Sequence, residues 1–222
     1  MKTQTSFLML AASMTFSFLG GSRQYAQVKR DVAPLTYGIL LDHSQSMKDN
    51  LKYITAAAET IINANSTTDE TFIVQFVSSD KIDTLQELTS DRMKLLNSVN
   101  GLRTEAGATA IIDAVYLSAQ YLSQKSSNLK AHYGLVLITD GDERASFYKL
   151  NALLALLRQH QIPVYILAYV NGVKKDDAYR YDKAKKFINR LALESGGKVI
   201  LAEKPKEIEE KAADIARLLR RE

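Results

Sequence analysis

The stretch Tyr37-Gly38-Ile39-Leu40-Leu41-Asp42-His43-Ser44-Gln45-Ser46-Met47 decides how the rest of the chain is read. An apolar run of strand character, Ile39-Leu40-Leu41, stops on a carboxylate, and two hydroxyls follow at alternate positions, giving Asp42-x-Ser44-x-Ser46. Strands buried on both faces read as continuous apolar runs, and open α/β sheets build their ligand sites beyond the carboxyl ends of such strands. Polar side chains delivered there predict a site, and the other segments can be asked what they bring to it.

On the downstream side, residues 49–63 carry Leu51, Ile54, Ala58 and Ile61 at spacings of three and four, which predicts an amphipathic helix with Ser46 and Asp49 as capping candidates. Residues 71–77 form a β-branched and aromatic strand, and 81–88 alternate weakly, as an edge strand does. Only Ser78-Ser79-Asp80 separates them, enough for a hairpin but not for the crossover a parallel return needs, so this pair is expected to be antiparallel. A short helix over 91–99 and a small-residue loop, Glu105-Ala106-Gly107-Ala108-Thr109, lead into a helix over about 110–122. Residues 133–139 are a second buried strand that ends, like the first, on a carboxylate, here Asp140-Gly141-Asp142. A leucine-rich helix over 146–160, a strand over 163–170, a helix over 177–195, a strand over 198–202 and a closing helix over 205–220 complete the chain. Strands alternating with helices, interrupted by one hairpin, predict an α/β fold: a mostly parallel sheet with one antiparallel edge strand and helices on both faces. Right-handed crossovers then place the first strand beside the 133–139 strand where the winding reverses, so that Asp42 and Asp140 face each other across the crevice.

Composition narrows the function classes. The 222 residues are 46% hydrophobic and 24% charged, an ordinary globular balance with enough chain for one well-buried core. The net charge is +4, but the basic residues are spread among 25 acidic ones without an aromatic-interleaved basic block, which argues against nucleic-acid binding. With no cysteine, disulfides, thiolate metal sites and thiol nucleophiles are excluded. Residues 1–27 read as an export signal: Lys2 supplies positive charge, Phe7 to Leu19 an apolar segment, and Gly20-Gly21-Ser22 or Tyr25-Ala26 small residues for cleavage. The apolar segment is shorter than the ~20 residues of a spanning helix, although retention as an N-terminal anchor is the alternative. Residues 28–34 are then a short lead-in and 35–222 one folded domain, soluble once mature and located in the periplasm or secreted.

Asp42, Ser44, Ser46, Thr109 and Asp140 are oxygen donors without sulfur or imidazole among them, a set that suits a hard divalent cation, Mg²⁺, Ca²⁺ or Mn²⁺. Two carboxylates neutralise the ion and three hydroxyls add neutral ligands, leaving room for water or an outside group. A lone Asp-x-Ser-x-Ser more often caps the next helix. Three pieces in order, Asp42-x-Ser44-x-Ser46, Gly107-Ala108-Thr109 and Ile138-Thr139-Asp140-Gly141, resemble the von Willebrand factor type A (VWA) domain and its metal-ion-dependent adhesion site, with wording most like bacterial exported members. The resemblance covers roughly residues 35–218. It implies a doubly wound, Rossmann-like six-stranded sheet, an ion held by Asp42, Ser44, Ser46, Thr109 and Asp140, and binding to a protein partner whose Asp or Glu carboxylate completes the coordination. Such proteins are not generally enzymes. His43 and Gln45 depart from the smaller spacer residues common in the family.

Other readings are weighed on the same residues. A phosphatase-like or other metal-dependent hydrolase would also place an Asp at a strand end, but Gly-x-Ser-x-Gly and Gly-x-x-x-x-Gly-Lys are absent, and only Lys48 and Arg144 lie at the motif edges. A module whose ion only stabilises the fold is the third reading. Asp142 and Glu143 are expected to be solvated, Asp113 to bond locally near its helix start, His43 to serve in the loop or surface, and the basic 174–190 face to be solvated.

Overall fold

The computed structural model describes residues 33–125, 131–170 and 178–220; the expected leader over 1–27 lies outside them. The described chain runs β1 (Leu35–Asp42), a 3₁₀ turn (Gln45–Asn50), α1 (Leu51–Asn63), β2 (Glu70–Phe76), β3 (Ile82–Thr89), α2 (Arg92–Val99) and α3 (Ile111–Lys125). It continues with β4 (His132–Thr139), α4 (Leu150–Gln159), β5 (Val164–Ala168), α5 (Ala178–Ser195), β6 (Val199–Leu201) and α6 (Lys206–Leu219).

The six strands form one sheet in the order β3-β2-β1-β4-β5-β6. Only the hairpin partner β3 is antiparallel; β1 pairs in parallel with β2 on one side and β4 on the other. The sequence expectation for the fold holds, including the neighbouring positions of β1 and β4 at the reversal of winding. All eight residues of β1 are buried, as a central strand covered on both faces requires.

Alternation along the strands sorts the core into two layers. Leu40, Phe72, Val74, Leu135, Leu137 and Ile166 face α3, α4 and α5. Tyr37, Ile39, Leu41, Ile73, Val136 and Leu167 face α1, α2 and α6. The helices that follow the parallel strands β1, β4, β5 and β6 start at the end of the sheet where Asp42 and Asp140 emerge, whereas α2, which follows the antiparallel β3, starts at the other end.

Two expected helix starts are corrected. Neither Ser46 nor Asp49 caps α1, whose N-cap is Asn50 with no side-chain hydrogen bond; Ser46 instead meets the Ser44 hydroxyl at 3.1 Å, and a 3₁₀ turn fills the interval. The helix expected from 146 begins at Leu150, because the N–H groups of Ser146, Phe147 and Tyr148 are taken by the carboxylates of Glu143 and Asp113.

Candidate metal centre

Asp42 is the last residue of β1, and its carboxylate is fully buried. One oxygen accepts the Ser44 N–H at 3.0 Å, and the other accepts the Thr139 hydroxyl across the β1/β4 pair at 2.6 Å. Thr139 in turn accepts the Gly141 N–H at 3.0 Å, so one hydroxyl orients Asp42 and shapes the turn carrying Asp140. Gly141 has φ +81°, which turns the chain sharply after Asp140; a Cβ there would also meet Ile188 at 2.9 Å.

Asp140 is 1% exposed. Its Oδ1 accepts the Asp142 N–H at 3.0 Å, while its Oδ2 is buried without a hydrogen-bond partner. Ser46, the solvent-exposed member of the group, lies close enough to Asp140 to pull its pKa down. Asp42, Ser44, Ser46 and Asp140 are therefore gathered at the mouth of the sheet.

Both carboxyls are shifted upward. Burial is the main cause for each; for Asp42 the neighbouring Asp140 charge adds to it, while hydroxyl and N–H donors pull back. Two acids that resist ionisation, one with an unpartnered buried oxygen, form a site with unmet demand for positive charge. The donor set is all oxygen, so these residues fit a hard divalent cation. No group of three or more His, Asp or Glu side chains converges anywhere among the described residues, so hydroxyls would have to complete the ligand set here.

Thr109 is buried on the loop before α3. Its carbonyl accepts the N–H groups of Arg144 and Ala145 at 2.9 and 3.2 Å, which lays the Thr109 loop against the Asp140 loop. No hydrogen bond among the described residues joins its hydroxyl to the two carboxylates. Gly107 is required by packing, since a Cβ there would meet Val77 at 2.5 Å.

Of four neighbouring side chains, His43 keeps its expected loop role, whereas Asp142, Glu143 and Asp113 depart from expectation. His43 is buried; its ring Nδ1 donates to the Arg103 carbonyl at 2.7 Å, and its own carbonyl accepts the Glu105 N–H at 3.1 Å, so it clamps the first motif loop to the second. Asp142 is 8% exposed and is shared by Arg144 and Arg180. Glu143 accepts the Ile112 N–H at 3.0 Å, capping α3 from across the site, and Asp113 accepts N–H groups from Phe147 and Tyr148 at 2.8 Å each. Solvated or local roles were expected because the partners are more than thirty residues away in sequence. Thr139 was also missed, although a hydroxyl ending the strand beside Asp42 was a usable signal once the register was drawn.

The family model for the von Willebrand factor type A domain matches residues 38–212. The chain belongs to this family. No curated protein matches the VWA chain significantly. Among solved structures, it is similar to the conserved hypothetical protein BatB from Bacteroides thetaiotaomicron, with 16% identity, TM-score 0.64, and coverage of 83% of this chain and 98% of that one. It is similar in the same way to an aerotolerance-related membrane protein from Bacteroides fragilis, with 17% identity, TM-score 0.63 and coverage of 82% and 98%. The pilus adhesin SpaC from Lactobacillus rhamnosus GG matches at 12% identity and TM-score 0.66, over 86% of this chain and 30% of the adhesin. At these identities the likeness is one of fold. No helix among the described residues is long and apolar enough to cross a membrane.

Proposed function

We propose that this VWA protein is an exported, divalent-cation-dependent protein-binding module rather than an enzyme, with Asp42, Ser44, Ser46, Thr109 and Asp140 as the residues that would hold Mg²⁺, Ca²⁺ or Mn²⁺. The observation that carries this reading is the unpartnered, buried Asp140 Oδ2 beside a second buried carboxylate. A bound cation supplies the missing charge and leaves a position for an Asp or Glu carboxylate of a protein partner. The chain's own residues do the rest: Thr139 and the Ser44 N–H hold Asp42 in place, His43 holds the Thr109 loop, and exposed Ser46 marks the open side. Membership of the VWA family and the fold shared with a pilus adhesin support an interaction role. Export rests on the sequence of residues 1–27.

Calorimetry tests the metal. The wild-type protein should release or take up heat on Mg²⁺ addition, Asp42→Ala should give none, and Thr109→Val should stay folded and weaken partner capture more than Mg²⁺ binding. Partners captured from the exported fraction in Mg²⁺ should be released by chelator. Undiminished capture by folded Asp42→Ala protein would sink the adhesion reading, and Mg²⁺-dependent phosphatase or esterase turnover requiring Asp42 would replace it with a catalytic one.

A further inference from the structure

The loop that carries Asp140 continues into a surface whose construction the metal site does not require. Residues 141–148 are anchored at both ends. On one side Asp113, only 2% exposed, takes the Phe147 and Tyr148 N–H groups, and Glu143 ties Ser146 to the first turn of α3. On the other side Gly141, Asp142 and Glu143 line a small cleft of about 50 Å³ with Lys183, Ala184 and Phe187 of α5.

Phe147 is 79% exposed on this anchored backbone. Its ring meets Tyr148 edge-on at 5.4 Å, and Tyr148 stacks on Tyr116 at 3.8 Å. Single exposed apolar residues are common and need no function. This one is presented by a backbone already ordered by a buried carboxylate, so a partner covering the ring would not bear the cost of ordering the loop. Rigid aromatic anchors of this kind are where binding energy concentrates.

The α5 side is positive. Arg144 and Arg180 both pair with the Asp142 carboxylate at its edge. Lys183 and Lys186 are exposed and enter no ion pair among the described residues, and Asp182 is the only exposed acid between Ala178 and Arg190. Apolar anchor and positive face thus flank the Asp140 loop on its two sides.

The geometry points to an acidic protein segment as the partner: one carboxylate at the ion, an apolar side chain against Phe147, and a further acidic residue over Lys183 and Lys186. This rests on the divalent-cation reading of the site. Charge complementarity chooses the occupant, because a neutral segment would leave the α5 face unmatched.

A displayed random dodecapeptide library, panned on the immobilised protein in Mg²⁺ and eluted with chelator, tests it. The eluted peptides should carry an apolar residue and at least two acidic residues. A synthetic peptide of that consensus should bind Phe147→Ala about tenfold more weakly, the scale of a lost aromatic anchor, and lose a similar factor with Lys183→Glu/Lys186→Glu, while both variants keep wild-type Mg²⁺ binding by calorimetry. Chelator-eluted peptides with a single acid and no apolar position, or equal binding to both variants, overturn this inference and leave the metal reading standing. Absence of any chelator-eluted peptide together with absence of Mg²⁺ heat overturns the metal reading itself. Binding to phosphatidylglycerol–phosphatidylcholine vesicles in chelator, lost in Lys183→Glu/Lys186→Glu, would assign the positive face to a membrane surface and overturn the peptide assignment.

Discussion

Asp113 shows how much one side chain away from the proposed ligands can control. Its two oxygens accept Phe147 and Tyr148 N–H groups, and Ser79 from the β2–β3 hairpin adds a hydroxyl, so three segments meet on one buried carboxylate. Asp113→Ala strands two part-buried N–H groups and should cost about 1–3 kcal/mol, measured by urea unfolding. Hydrogen exchange at Phe147 and Tyr148 should accelerate, while Mg²⁺ affinity changes little because the Thr109 and Asp140 loops are joined separately, through the Thr109 carbonyl and the Arg144 and Ala145 N–H groups. Unchanged exchange at those two amides would show that the loop is held by other contacts. Asp42, Ser44, Ser46 and Asp140 could be read in the sequence because they stand within five residues of one another or at a strand end. Asp113, Glu143 and Asp142 could not, since their roles depend on partners 31 to 38 residues distant. A carboxylate's partners over that span are a property of the folded topology, which local spacing does not carry.

At the scale of elements, periodicity identified all the described helices and strands but misplaced two helix starts. Both errors lie beside the candidate site. The hydroxyls of Ser44 and Ser46, normal helix caps, are turned to each other and to the carboxylates, and the N–H groups ahead of α4 are drawn to Asp113 and Glu143. Local signals for capping are overridden where a site claims the same groups. Away from the site the amphipathic reading is reliable, as α6 shows. Ile208, Ala212, Ile215 and Leu219, spaced by four, three and four residues, are buried against the α1 side of the core. Ile215→Ala should therefore cost about 2–5 kcal/mol by chemical denaturation, while Mg²⁺ binding per folded molecule stays the same. A cost below ~1 kcal/mol would mean that α6 contributes little to the core.

For the molecule as a whole, the strand order followed from the alternation of elements and the handedness of crossovers, but the tie that closes the lower end of the sheet was not visible. Asp69 is 1% exposed and joins three parts of the chain there: Leu35 N–H at the start of β1, Ser66 N–H in the turn before β2, and the Arg220 guanidinium after α6. Burial alone would raise its pKa, yet the Arg220 hydrogen bond and the two N–H donors outweigh it and hold the carboxyl below its usual range. A carboxyl depressed on folding contributes stability that is complete above its unfolded pKa of about 3.9 and is lost as pH falls through the folded value. Wild-type protein should accordingly lose stability below about pH 4 with a slope to which Asp69 contributes. Asp69→Asn should cost about 2 kcal/mol at pH 7 and show a smaller further loss on acidification. Urea midpoints for the two proteins at pH 7, 5, 4 and 3 decide it: curves that stay parallel through the acid range would mean that Asp69 holds the lower end without its charge.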